Sequence, residues 1–219
     1  MSPKTVGAFR FVRIEDGAPD PKAAGSFYFV TTGSPNTVNP FGRLYHLQFD
    51  PANPTGQATL TILLDGTEGI VSPDNIDINK HGELMICEDP NYNLSLPPLS
   101  LTRDTSLWVY NIHTGKLLRI AEIDRKSALN HALEADSGNA SSFLGTPGSW
   151  EFSGIVDAEE FLGRGSWLLD IQAHTLRIAP TAATVEGGQV LHLIWKPSDD
   201  ENNRVPERQV EGAPKLRQD

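Results

Sequence analysis

Short apolar runs, each closed by Gly, Pro, Asn or Asp, occupy most of this chain. Residues 26–32 are aromatic and β-branched, and the loop Gly33-Ser34-Pro35-Asn36 ends them. Residues 43–49 alternate polar and apolar, the period of a half-buried strand. Further strands are predicted over 58–64, 76–78, 83–87, 106–111, 116–120, 166–171 and 189–195. Lys80-His81-Gly82 and His113-Thr114-Gly115 join adjacent runs as tight antiparallel hairpins. The one helical candidate is 125–135, where Ala, Leu and Glu favour a helix. Residues 134–148, rich in Ser, Gly and Asn, predict a mobile loop.

The pattern repeats. Gly42-Arg43-Leu44-Tyr45-His46-Leu47 resembles Thr105-Ser106-Leu107-Trp108-Val109-Tyr110, and each continues to an Asp or Asn and a turn. Ser72-Pro73-Asp74-Asn75-Ile76-Asp77 has a counterpart in Ser153-Gly154-Ile155-Val156-Asp157. Short strands, regular turns and an internal echo predict an all-β fold that is β-propeller-like, partial or small, with about three to four blades. The propeller-like domain is expected over residues 1–196, and 197–219 form a polar tail without apolar periodicity, expected to be disordered.

Composition narrows the function. With 219 residues, 38% of them hydrophobic, the chain can bury a real core. A net charge of −10 opposes nucleic acid and anionic membrane surfaces as partners, since both need a clustered basic face. Cys87 is the only cysteine, which excludes an intrachain disulfide and predicts a buried structural thiol. The segment Met1 to Gly7 reads as no signal peptide, and no apolar run approaches the roughly 20 residues that cross a bilayer. The chain as it stands therefore reads as cytoplasmic, and as exported if it is a truncated form.

Candidate chemistry lies in acids placed at strand ends: Glu15, Asp74 with Asn75, Glu88, and Glu151. Carboxylates converging from rigid strand ends would suit a hard cation. Each also has a plainer reading. Glu15 and Asp16 can form an acidic turn, and Asp74 and Asn75 can cap one. Glu88 ends an apolar strand and must be paired, bound or at the surface. Alternation places Glu151 on the face opposite Trp150 and Phe152. Gln172 and His174 follow a strand and share a face, where His174 could hold a phosphate, orient a ligand, or bond within a turn. Asp157 reads as structural, and His46, His81, His113 and His192 as surface residues. No Gly-x-Ser-x-Gly elbow, phosphate-cradling Gly-Lys-Ser/Thr loop or His-Glu-x-x-His pair is present, so any hydrolysis would rest on metal ions.

In order along the chain, Arg13-Ile14-Glu15-Asp16-Gly17, Pro73-Asp74-Asn75 with Gly82-Glu83-Leu84-Met85-Ile86, and Trp150-Glu151-Phe152-Ser153-Gly154 with Asp170-Ile171-Gln172-Ala173-His174 resemble the PhoX-type alkaline phosphatases. The resemblance spans about residues 9–180 and matches only the later part of the far longer, exported family members. Asn75 stands where many members carry Gly, and Ala173 separates Gln172 from His174.

The resemblance implies a calcium-dependent phosphatase acting on a small phosphorylated substrate, with iron as a further metal. It implies Glu15, Glu88 and Glu151 as cation ligands, Asp74 and Asn75 assisting them, and His174 and Gln172 near the phosphate. Two other readings stand beside it. One is a non-catalytic propeller remnant that binds calcium, or a partner such as a missing propeller half. The other is a metal-dependent lactonase or esterase.

Overall fold

The computed structural model describes residues 9–90, 92–95, 97, 99–125, 146–175 and 187–197. Among these residues, eleven strands form three antiparallel sheets. The first holds β1 (Ile14–Pro19), β2 (Ser26–Thr31), β3 (Arg43–Phe49) and β4 (Ala58–Leu64). The second holds β5 (Pro73–Ile78), β6 (Glu83–Glu88), β7 (Ser106–Asn111) and β8 (Leu117–Glu122). The third holds β9 (Glu151–Asp157), β10 (Ser166–Ala173) and β11 (Gly187–Ile194). In each sheet, strands consecutive in sequence lie side by side. These are successive blades of a β-propeller-like fold, three in number among the described residues.

The echo seen in the sequence has a structural counterpart. The two segments around Leu44 and Leu107 are β3 and β7, each the third strand of its blade. The segments around Asp74 and Ser153 belong to β5 and β9, each the first strand.

Blades pack face to face, and the middle one is buried on both sides. Along β6, Leu84 and Ile86 join a core with Tyr28, Val30, Leu44 and Trp108, between the first and second blades. The alternate residues Met85 and Cys87 join a second core with Trp150, Phe152, Trp167 and Leu169, between the second and third. All six residues of β6 are buried, so its near-continuous apolar run follows from having a blade on each face. Cys87 is buried as expected, and burial raises its thiol pKa well above the usual value.

Two strands escaped the sequence pattern. β1 and β9 are absent from the strands predicted above: an acidic turn is the plainer reading of Glu15 and Asp16, and only the alternation around Glu151 hints at β9. Each first strand is involved in a register irregularity: between Ile14 and Gly17 in β1, between Pro73 and Ile76 in β5, and opposite Leu169 and Asp170 in β9. An extra residue breaks strict alternation and bends the strand, so the period-2 signal is lost where the acids lie. Asp157 is followed by a single helical turn, α1 (Glu159–Leu162). Lys80 and His81 in the β5–β6 turn reach Glu159 at 2.8 and 3.1 Å and tether it. Beyond Arg125, the helix expected over 125–135 lies outside the described residues, as do most of the 134–148 loop and the tail from residue 198.

Candidate functional site

The irregularities in the first strands decide where the acids point. At such a bulge the side chains on either side no longer alternate strictly, which re-aims one of them. In β1, Asp16 lies within the irregular stretch, and its Oδ2 accepts the Ile76 N–H of β5 at 3.1 Å. In β5, Asn75 Oδ1 accepts the Ser153 hydroxyl of β9 at 3.4 Å, and Asp77 Oδ2 accepts the Asp157 N–H at 2.7 Å. Each first strand is thus bonded to the next by a polar side chain. Asp16, expected as a turn residue, is one of these links. The backbone entering β1 and β5 is constrained as well. Arg13 and Ser72, each immediately before a first strand, have left-handed backbones with φ of 57° and 50°.

Within this frame the carboxyls of Asp74, Asp89 and Glu151 stand in file. Asp74 lies in β5, Asp89 directly follows β6, and Glu151 opens β9. Burial pushes the Asp74 carboxyl up to about 8, and its hydrogen bond to Asp89 and the nearby charges of Asp89 and Glu15 add to the rise. Burial likewise pushes Asp89 up to about 7, reinforced by its hydrogen bond to Glu151. The hydrogen bonds run from Asp74 to Asp89 and from Asp89 to Glu151, each donated by the carboxyl that it raises. Like charges this close cannot all ionise, so protons bridge them.

At the far end of the file, His174 Nε2 lies 3.4 Å from Glu151 Oε1. At the near end, Glu15 adds negative charge, and Arg13, 3.4 Å from Glu15, opposes it. Gln172 sits to one side on an exposed position, donating to the Ser153 hydroxyl at 3.0 Å. Ser153 therefore connects Gln172 to Asn75. Glu151 is buried and on the face opposite Trp150 and Phe152, both of which enter the second core.

The structure thus brings Asp74, Glu151 and His174 together, with Glu15 at the margin and Asn75 and Gln172 on an adjoining polar bridge. It adds Asp89, which the sequence reading did not select. The missed signal was its position: Asp89 directly follows the buried β6.

Glu88 is the correction. Its side chain is fully buried, and its two oxygens accept five donors. Oε1 takes Val71 N–H, Arg103 Nη2 and Trp108 Nε1, while Oε2 takes Arg103 Nη1 and Ser106 N–H. A carboxylate offers about four lone-pair sites, so no acceptor capacity remains for a cation. Neighbours in sequence, Glu88 and Asp89 face different environments: one a sealed ion pair, the other the carboxyl file.

The donor set of the file is oxygen-rich and suited to a hard divalent ion, which would take the place of the bridging protons. Among the described residues, no three His, Cys, Asp or Glu side chains already surround a common point as for a metal.

Residues 1–160 match the family model described as alkaline phosphatase PhoX. No curated protein matches the chain. Among solved structures, Pseudomonas fluorescens PhoX in complex with vanadate, a transition state analogue, is similar at a TM-score of 0.51 and 15% identity. The alignment covers 78% of this chain and 30% of that one, so the chain corresponds to under a third of that protein. At this identity the likeness speaks for the fold.

Proposed function

The chain belongs to the alkaline phosphatase PhoX family, and on that premise we propose that it is a calcium-dependent protein of the phosphatase type that hydrolyses phosphomonoesters. The observation that carries the reading is the meeting of Asp74, Asp89 and Glu151 at three strand ends, with His174 Nε2 3.4 Å from Glu151. Three crowded carboxyls with two protons among them keep one negative charge, and a divalent cation would offset the charge that builds up as those protons leave at higher pH. Asp74, Asp89 and Glu151 would hold the ion, with Glu15 contributing charge from β1. A bound cation would supply stabilisation for the negative charge of a transferring phosphoryl group.

The remaining residues have roles that their own chemistry allows. His174, paired with Glu151, can hold a proton at Nε2 beside the site or donate it to a phosphate oxygen. Gln172, exposed and anchored through Ser153, can donate an amide hydrogen bond to a substrate oxygen. Glu88 serves the site through structure, by fixing the strand end from which Asp89 projects. Iron is the further metal that this reading has to test.

A second reading rests on the coverage. Because the chain corresponds to 30% of the similar structure, the second reading is a non-catalytic remnant that keeps a calcium site without the rest of a catalytic centre. Titration calorimetry and a phosphomonoester assay, each with calcium, iron or both, separate the two. Calcium heat with metal-dependent turnover supports the enzyme; calcium heat without turnover leaves the remnant; absence of any metal heat sinks both.

A further inference from the structure

Ser72 is buried, stands immediately before β5 and has a left-handed backbone with φ of 50°. That conformation is unfavourable for a residue with a Cβ, and the ring of Pro73 restricts the residue before it further. Strain of this kind persists only where surrounding contacts over-determine it, and it gathers at functional sites. Every polar atom of Ser72 is engaged. Its N–H donates to the Phe41 carbonyl in the β2–β3 loop at 2.7 Å, and its carbonyl accepts the Asp89 N–H at 2.9 Å. Its hydroxyl meets the Tyr92 hydroxyl at 3.3 Å.

Three lines run from this residue to the carboxyls of the candidate site. Along the chain, Asp74 lies two residues on, inside the irregular stretch between Pro73 and Ile76. Across the ladder, the Ser72 carbonyl holds the main chain of Asp89 itself. The third line passes through Tyr92, in the loop after β6, and that loop lies on the entry to β9. Leu94, fully buried, donates its N–H to the Pro147 carbonyl at 3.0 Å. A Cβ on Gly148 would lie 2.7 Å from the Tyr92 carbonyl, so loop and entry segment touch backbone to backbone. Gly148 is three residues before Glu151. Burial raises the Tyr92 phenol pKa, which keeps its hydroxyl protonated as a partner for Ser72.

Carboxylates that repel one another splay when ionised unless their backbones are fixed, and a cation binds more tightly to ligands already held at its spacing. We propose that Ser72 is a positioning residue that, together with Tyr92, sets the spacing of Asp74, Asp89 and Glu151. The inference rests on the reading of those three as calcium ligands, while the spacing is a property of the metal-free chain. Ser72 acts through the Asp89 main chain and Tyr92 and is not itself a ligand. A residue that merely supported the fold would change stability alone.

Two mild variants separate these roles. Ser72→Gly keeps the left-handed backbone and both main-chain bonds but removes the hydroxyl, and Tyr92→Phe removes the other half of the same contact. Glycine accepts positive φ, so relief of strain offsets the lost bond, and the melting temperature of Ser72→Gly in chelator should stay close to that of the unaltered chain. Calcium affinity in titration calorimetry should nevertheless fall about fivefold in each variant, the weight of one hydrogen bond. The double variant should lose no more than either single one, because one contact cannot be lost twice. In chelator, the Asp89 amide, followed by NMR, should exchange with solvent deuterium faster in both variants, while the Leu84 amide within β6 keeps its protection. Calcium affinity unchanged in both variants of a chain that binds calcium overturns the proposal, as do losses that add in the double variant. No calcium heat from the unaltered chain sinks the proposed function instead. The exchange experiment then decides the positioning role alone, and an Asp89 amide equally protected in all variants overturns it.

Discussion

Glu88 and Arg103 form a two-point bridge, with Nη1–Oε2 at 2.6 Å and Nη2–Oε1 at 2.7 Å. Arg103 is itself largely buried and also donates to the carbonyls of Gly69 and Asp104. The pair therefore ties the loop before β5, the end of β6 and the start of β7 into one unit. Such a pair is weak evidence of net stabilisation, yet breaking it leaves a buried charge uncompensated.

Arg103→Met should accordingly destabilise the fold by about 3–5 kcal/mol, read from the denaturation midpoint at constant m-value. Glu88→Gln should also destabilise, but below its melting temperature it should bind calcium with unchanged stoichiometry in calorimetry. A lost calcium equivalent in Glu88→Gln would return Glu88 to the ligand set.

The carboxyl file predicts an unusual pH dependence for the metal-free protein. Asp74 and Asp89 hold protons more tightly folded than unfolded, with folded values near 8 and 7 against an ordinary 3.8. The native state then binds more protons between those limits, so stability falls as pH rises through the window. Thermal melts in chelator should show a lower melting temperature at the alkaline end than at the acid end. Melts that rise with pH across this range would refute the shared-proton arrangement.

Calcium should act in the opposite sense. A ligand bound only by the native state at 100 times its dissociation constant adds about 2.7 kcal/mol, and displacing bridging protons makes its affinity grow with pH. Calorimetry in buffers of different ionisation enthalpy should therefore report proton release on calcium binding. Identical heats in all buffers would mean that the ion does not enter the file.

Within the site, Glu151→Gln and Asp89→Asn keep side-chain shape while removing charge, and each should weaken calcium binding by at least tenfold, about 1.4 kcal/mol. Removing repulsion should leave the metal-free melting temperature equal or higher. A calcium affinity unchanged in both variants would place the ion elsewhere.

His174→Ala should spare calcium affinity and lower turnover of a phosphomonoester, and Gln172→Ala should mainly raise KM. The split distinguishes a group that touches the substrate from one that supports the metal. Should His174→Ala abolish calcium binding instead, the imidazole belongs to the ligand set.

The sequence by itself determined the strand-rich architecture and the bounds of several strands. Strands β3, β4 and β7 begin and end where period and turn residues put them, because alternation on a half-buried sheet and the chemistry of Gly, Asn and Pro turns are local properties. It also determined which strands are equivalent, and the order of the acidic motifs that carry the family. Only the tertiary structure decided what those acids do. Glu88 and Asp89 are adjacent in sequence, yet one is sealed by Arg103, fifteen residues on, and the other meets Asp74 of its own blade and Glu151 of the next. Charge partnership is a property of distance in space and of burial, and neither can be read from a strand end. The bulges in the first strands removed the very alternation that would have identified β1 and β9, so the site was least legible where its side chains had been re-aimed.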